Sequence, residues 1–195
     1  MKKISDFQIV LASNSPRRKE LLAFVVPNFI VKTKEVAEIY PETIQKDTVA
    51  EYLAKLKASV FEGEINENEI FITSDTIVLL GDSIFGKPKD KEDAIYILQQ
   101  LSGKNHQVIT GVCFKTATKE ISFSHSTEVI FKELSLEEIT YYIDTFKPYD
   151  KAGAYAIQEW IGFIGVEKIN GDYNNIVGLP VQEMYSRLQQ FVTTI

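Results

Sequence analysis

The chain of 195 residues has few of the side chains on which several classes of site depend. It contains one cysteine, Cys113, and two histidines, His106 and His125. A single cysteine excludes an intrachain disulfide framework and is typical of a reducing cytoplasm. His106 and Cys113 are an odd number of residues apart on one predicted strand, so they point to opposite faces and form no catalytic pair. This composition supports neither a zinc site nor a Ser–His–Asp arrangement.

Long apolar runs and an excess of positive charge are also missing. The first residues, MKKISDF, have no apolar core and are not a secretory signal, and no run approaches the ~20 apolar residues of a membrane helix. The net charge of −6 contrasts with the basic face of a polynucleotide-binding protein. We therefore expect a folded, cytoplasmic protein that binds neither membranes nor polynucleotides. A small anionic ligand is compatible with this composition.

The common nucleotide-binding motifs, Walker A and GxGxxG, are absent, but residues 9–22 (IVLASNSPRRKELL) suggest an anion site. They predict a buried strand and then a helix, with Ser15 as N-cap and Pro16 in the first turn. Arg17 and Arg18 follow, where the helix dipole favours anionic side chains by ~0.3–1 kcal/mol per charge. Guanidinium, hydroxyl and main-chain N–H groups together would suit a phosphate. The alternative is a pair of solvated surface arginines.

A carboxylate stands inside the most apolar segment of the chain, residues 70–80 (IFITSDTIVLL). Asp75 lies between Ser74 and Thr76 in what reads as a buried strand. A buried, ionised carboxylate is costly unless it is paired or bound to a metal, so Asp75 is a candidate functional residue. It could hold a divalent cation, deprotonate a water molecule, or do both. A purely structural hydrogen-bonding role is the alternative.

Two lysines could supply further positive charge. Lys57 lies near the end of a predicted helix, and Lys87 is in the tight segment Gly86-Lys87-Pro88. Together with the two arginines, these cations would compensate the charge of a phosphate chain, as phosphoryl transfer requires. Each lysine alone is equally typical of a surface charge, and a cation near a helix C-terminus is favourable without a ligand.

The hydrophobic pattern predicts an α/β or α+β protein with a mixed, twisted sheet and flanking helices. Capping signals begin helices at Thr48, Asp90 and Ser135. The last strand is predicted at residues 160–169, followed by a long loop to residue 179 and a final helix from Pro180. No linker divides the chain, so residues 1–195 are expected to form a single domain.

These segments together resemble the Maf family, proteins named as septum-formation inhibitors and understood as nucleoside triphosphate pyrophosphatases. The resemblance runs from Leu11 to about Pro180. The motifs that carry it are LASNSPRRKELL, Lys57-Ala58, Ser74-Asp75-Thr76, Gly86-Lys87-Pro88, HQVITGV at 106–112, AGAY with Ile157-Gln158 at 152–158, and GDYNN through GLP at 171–180.

The resemblance implies a two-lobed Maf-like domain around a cleft, related to the inosine triphosphate pyrophosphatases and often a homodimer. It implies hydrolysis of a nucleoside triphosphate to the monophosphate and pyrophosphate with a divalent cation, Mg²⁺ or Mn²⁺. Asp75 would accept the proton of the attacking water. The resemblance assigns the phosphates to Ser13, Ser15, Arg18, Lys57 and Lys87.

The positions that separate substrate branches of the family carry Arg17, Thr76 and Gln158, a combination that resembles the branch acting on dTTP and UTP. The alternatives are a pyrophosphatase for 7-methyl-GTP or another modified nucleotide, and a nucleotide-binding regulator of septum formation or cell division.

The chain also departs from the family pattern. It has Ala37-Glu38 where Asp-Glu is common, which leaves Glu38 beside Asp75 as a metal ligand. Glu159-Trp160 follow Gln158 where Gly is common.

Overall fold

The computed structural model describes residues 2–195, and its centre is a seven-stranded mixed sheet. The strands pair in the order β2-β1-β3-β5-β6-β7, with β4 paired to β3. β1 runs parallel to both β2 and β3, whereas β4 is antiparallel to β3 and β7 is antiparallel to β6. The strands are β1 (Gln8–Leu11), β2 (Phe29–Val31), β3 (Glu69–Leu80), β4 (Ser83–Phe85), β5 (Asn105–Lys115), β6 (Glu120–Phe131) and β7 (Val166–Asn170). The predicted fold class, a mixed sheet with flanking helices, is confirmed.

Seven α-helices accompany the sheet within the described residues. They are α1 (Pro16–Ala23), α2 (Val49–Ser59), α3 (Lys91–Leu101), α4 (Leu136–Phe146), α5 (Trp160–Gly165), α6 (Tyr173–Val177) and α7 (Val181–Val192). Ser15 and Asp90 cap α1 and α3 as predicted, and Ser135 forms a capping box with Glu138 at α4. Thr48 is the N-cap residue of α2, as predicted, but its side chain does not cap the helix, because its hydroxyl donates to the carbonyl of Gln45 and accepts nothing from α2.

Two further predictions are wrong near the C-terminal end of the chain. The expected strand at 160–169 begins as helix α5 and becomes strand β7 only at Val166. Helix α5 contains Gly162, where a Cβ atom would lie 1.9 Å from the carbonyl oxygen of Ile157. Only glycine fits this close approach of main chain to main chain. Helix α6 lies within the segment that was predicted to be a loop.

The chain divides into two compact units. Unit 1 contains the residues up to Asp75, Thr110–His125 and Gly178–Ile195. In its core, alternate residues of β1 and β3 face opposite ways, as the period of a strand requires. Leu11 and Ile72 pack in one cluster with Leu22 of α1 and residues of α7, while Val10 and Phe71 pack with Phe61 in another.

Unit 2 contains Thr76–Ile109 and Ser126–Val177. Its core joins the apolar faces of α3 and α4, including Leu98, Leu101 and Tyr142, all fully buried. No helix among residues 2–195 is both long enough and apolar enough to cross a membrane.

Candidate functional site

The turn after β1 places two serine hydroxyls at the start of α1, in unit 1. Ser15 is the N-cap: its Oγ accepts a hydrogen bond from the main-chain N–H of Arg18 at 3.4 Å. The Oγ of Ser13 accepts from the main-chain N–H of Ser15 at 3.2 Å. Arg17 is half-buried in the first turn of α1. The strand, turn and cap predicted for residues 9–22 are therefore present, with hydroxyl groups and both arginines at the helix N-terminus.

Arg18 binds the main chain at two distant points of unit 1. Its Nε donates to the carbonyl of Gly178 at 2.9 Å and its Nη1 to the carbonyl of Ser74 at 2.8 Å, with the Oγ of Ser13 3.5 Å from Nη1. Burial lowers the pKa of the guanidinium, and the charge of Asp75 opposes that effect. Arginine stays protonated at neutral pH, so Arg18 brings a fixed positive charge beside Asp75.

Asp75 is buried on β3 and pairs with Lys57 of α2. The ammonium Nζ of Lys57 contacts Asp75 Oδ1 and lies 2.8 Å from Glu38 Oε1. Helix α2 is held against the same stretch of β3 by a hydrogen bond of 2.6 Å, which the hydroxyl of Thr73 donates to the carbonyl of Ala54. The three charged groups come from a loop, a helix and a strand, and the fold of unit 1 brings them together.

The groups around Asp75 shift its pKa in opposite directions. Burial raises the pKa of its carboxyl group and is the largest influence, and the nearby charge of Glu38 also raises it. The charges of Lys57 and Arg18 and the hydrogen bond from Lys57 lower the pKa. The net pKa is raised, so Asp75 is more basic than an exposed aspartate. This is the property that a general base needs at neutral pH.

Glu38 and Asp75 are the two residues predicted to bind a divalent cation. Among residues 2–195 no group of three or more histidine, cysteine, aspartate or glutamate side chains could hold a metal. Glu38 and Asp75 nevertheless contact one shared cation, the ammonium of Lys57. Two convergent carboxylates fit Mg²⁺ or Mn²⁺, which accept oxygen ligands and keep several waters or phosphate oxygens.

The remaining predicted residues belong to unit 2. Thr76 follows Asp75 on β3 and is half-buried. Lys87 is exposed after β4, in a loop held in place by a 3.0 Å hydrogen bond from the main-chain N–H of Gly153 to the carbonyl of Gly86. Gln158 is half-buried, and its Oε1 is buried with no hydrogen-bond partner among the described residues.

Two kinds of group at the site were missed from the sequence: the main-chain carbonyls that bind Arg18, and the hydroxyl of Ser74. Arg18 binds the main-chain carbonyls of Ser74 and Gly178, and every residue offers such an oxygen. The Oγ of Ser74 is buried without a hydrogen-bond partner in the described part of the chain. Its only sequence signal was its position next to Asp75 in the polar interruption of an apolar strand.

The fold is therefore a mixed α/β sheet with a buried carboxylate–lysine pair next to the strand, turn and helix of residues 9–22. Comparison with known proteins identifies the family to which it belongs. The profile described as "Maf-like protein" matches residues 8–191, so the chain belongs to the Maf family.

Relatives within this family are similar over nearly their whole length. A protein of Flavobacterium psychrophilum named dTTP/UTP pyrophosphatase is 50% identical, with 94% of each chain covered. One of the same name from Phocaeicola vulgatus is also 50% identical, with 97% of this chain and 99% of the relative covered. Among solved structures, the Staphylococcus aureus Ham1 protein matches with a TM-score of 0.48 at 16% identity, covering 64% of this chain and 71% of that one.

Proposed function

We propose that this protein is a nucleoside triphosphate pyrophosphatase that hydrolyses dTTP and UTP. The products would be the nucleoside monophosphate and pyrophosphate. The observation that carries the proposal is the buried Asp75, paired with Lys57 next to the serine- and arginine-rich turn before α1. The names of the relatives that are 50% identical support the choice of substrates.

In the proposed reaction, Asp75 is the general base. Its carboxylate takes a proton from a water molecule as the water oxygen bonds to the α-phosphorus, and the bond from that phosphorus to the bridging oxygen breaks to release pyrophosphate. The raised pKa makes the carboxylate a better proton acceptor, while the charges of Lys57 and Arg18 favour its ionised form. The substrate phosphates then give the Lys57 ammonium alternative partners.

We assign the phosphates to side chains that offer N–H or O–H donors. Positive charge and hydroxyl groups at the N-terminus of a helix suit a polyphosphate, since the helix dipole adds to their field. The proposed phosphate-binding residues are Ser13, Ser15, Arg18, Lys57 and Lys87. Because Arg18 is already bound to two carbonyls, its contribution combines charge with the rigidity of the turn.

Selection of the base is assigned to Arg17, Thr76 and Gln158. The imide edge of uracil and thymine presents an N–H between two carbonyl oxygens, and a side-chain amide offers the complementary acceptor and donor. The buried Oε1 of Gln158 lacks such a partner among the described residues, as expected for a group that pairs with a ligand.

Glu38 and Asp75 would hold a divalent cation, Mg²⁺ or Mn²⁺. When bound, such an ion would neutralise phosphate charge and polarise the reacting phosphoryl group. The contact that both carboxylates make with the Lys57 ammonium supports this assignment. A cytoplasmic location and a homodimer also remain predictions.

A nucleotide screen tests the function. The purified protein is incubated with canonical and modified nucleoside triphosphates, including 7-methyl-GTP, in Mg²⁺ or Mn²⁺, and products are separated by ion-exchange chromatography. We expect dTTP and UTP to yield monophosphate and pyrophosphate. A preference for 7-methyl-GTP would refute the substrate assignment, and release of orthophosphate with a diphosphate would refute the reaction. Nucleotide binding without any turnover would favour the regulator.

A further inference from the structure

The residue that follows Gln158 is the centre of a hydrogen-bonded network in unit 2. Glu159 Oε2 accepts a hydrogen bond of 2.5 Å from the hydroxyl of Tyr142, and its Oε1 lies 3.3 Å from the ammonium of Lys151. Tyr142 is fully buried, and the Lys151 side chain is only 10% exposed. The Glu159 side chain is 24% exposed, and Lys151 also pairs with Asp150 at 2.7 Å. The two partners of the Glu159 carboxylate restrict its orientation.

The same network holds the main chain on both sides of Gln158. Before it, the N–H of Ala156 donates to the Tyr142 hydroxyl at 3.1 Å. After it, the Glu159 carboxylate accepts from the same Tyr142 hydroxyl at 2.5 Å, and the main-chain N–H of Glu159 donates to the carbonyl of Ala156 at 3.1 Å. Gln158 therefore lies in a short segment, Ala156 to Glu159, whose two ends both bind the Tyr142 hydroxyl.

We propose that Glu159 is a positioning residue for substrate selection: by joining the Tyr142 hydroxyl to the Lys151 ammonium, it fixes the segment that presents the Gln158 amide to the pyrimidine base. This inference rests on the proposed function. The physical reason is that an amide discriminates between bases only if its acceptor and donor keep a defined orientation. The unpartnered Oε1 of Gln158 indicates that the protein itself does not satisfy this amide.

Base selection acts mainly on substrate binding, so the effect should appear in KM. For Glu159→Ala we expect KM for UTP and dTTP to rise about tenfold, with kcat within about twofold of wild type. The ratio of kcat/KM between UTP and CTP should fall toward that of Gln158→Ala. Glu159→Gln keeps an acceptor for the Tyr142 hydroxyl while it removes the charge facing Lys151, so it should restore most of the wild-type KM.

Tyr142→Phe tests the network by a second route, because it removes the hydroxyl that joins Glu159 to Ala156. Combined with Glu159→Ala, it should raise KM by less than the product of the two single effects, since both changes break the same connection. Multiplicative effects in this double-mutant cycle would contradict the proposal.

The matched control is Glu138→Ala, in the same unit. Glu138 also accepts from a lysine, Lys132, at 2.7 Å and from a main-chain N–H, that of Ser135, at 2.9 Å. It belongs to α4, the helix that carries Tyr142, so its replacement reports what general destabilisation does to kinetics. We expect the control to lower thermal stability without changing KM or the UTP/CTP ratio.

The outcomes separate the two proposals. A wild-type protein that hydrolyses neither dTTP nor UTP overturns the proposed function and this inference with it. Wild-type hydrolysis together with a folded Glu159→Ala variant of unchanged KM and unchanged UTP/CTP ratio overturns only the positioning role. Equal losses in Glu159→Ala and Glu138→Ala would show a merely structural role and would also overturn it.

Discussion

Replacing Arg18 by lysine tests whether the arginine in the first turn of α1 holds unit 1 together as well as carrying charge. The guanidinium donates from Nε to Gly178 and from Nη1 to Ser74, at 2.9 and 2.8 Å. A hydrogen bond from a charged donor contributes about 1.5–3 kcal/mol. Lysine keeps the charge but has one nitrogen, which cannot reproduce the two-point geometry of the guanidinium.

We therefore expect Arg18→Lys to lose about one such hydrogen bond, roughly 2 kcal/mol of unfolding free energy. For a chain of this size that corresponds to a fall in Tm of about 4–8 °C. Arg18→Ala should lose more, since neither carbonyl keeps its donor. Urea unfolding followed by circular dichroism measures the difference, with the m-value reporting whether the unfolding transition is unchanged.

Lys19→Ala is the control, since Lys19 is an exposed cation on the same helix. Its effect should stay within about 0.5 kcal/mol of wild type. If Arg18→Lys were equally neutral, the reasoning that assigns the two carbonyl contacts a stabilising role would be refuted.

Three further predictions concern the carboxylate and a buried histidine. Asp75→Asn should lower kcat for UTP at least about 100-fold while UTP still binds in calorimetry; unchanged turnover would exclude Asp75 as the base. Lys57→Met removes a positive charge that lowers the pKa of Asp75. The acidic limb of the pH profile of kcat/KM should therefore move to higher pH. The control, Lys55→Met at a more exposed site, should leave that limb in place. His106 is buried, and burial lowers its pKa from 6.5 to about 4. The unfolded chain therefore binds more protons between these values, and stability should fall as pH drops through this range, by on the order of 3 kcal/mol in total. His106→Gln should flatten that dependence in unfolding experiments, and an unaltered slope would contradict it.

The strand–turn–helix at the start of the chain was predictable because its signals are local. The side chain of Ser15 accepts a hydrogen bond from the N–H of Arg18, three residues further along the chain. Pro16 is pre-organised for the first turn. Asp75 was recognisable for a related reason. A carboxylate inside an apolar run is conspicuous wherever the run folds, because burial without a partner is costly.

Local signals were insufficient for the segment after Gln158. The apolar residues 160–169 are compatible with a short helix or a strand, and periodicity over so few residues cannot separate the two. The structure forms α5 and then β7, with Gly162 against the carbonyl of Ile157. Gly162 and Ile157 are close in sequence, but a glycine by itself does not indicate whether the main chain approaches at that point.

The sequence by itself determined most of the elements and the unusual groups: two arginines at the positive end of a helix and a carboxylate within a buried strand. Only the tertiary structure decided which groups meet. Asp75 is 18 residues from Lys57, and Arg18 is 160 residues from Gly178. Such pairings depend on strand register and on how α1 packs on β1 and α2 on β3. Caps and periodicity, in contrast, are encoded within a few neighbouring residues.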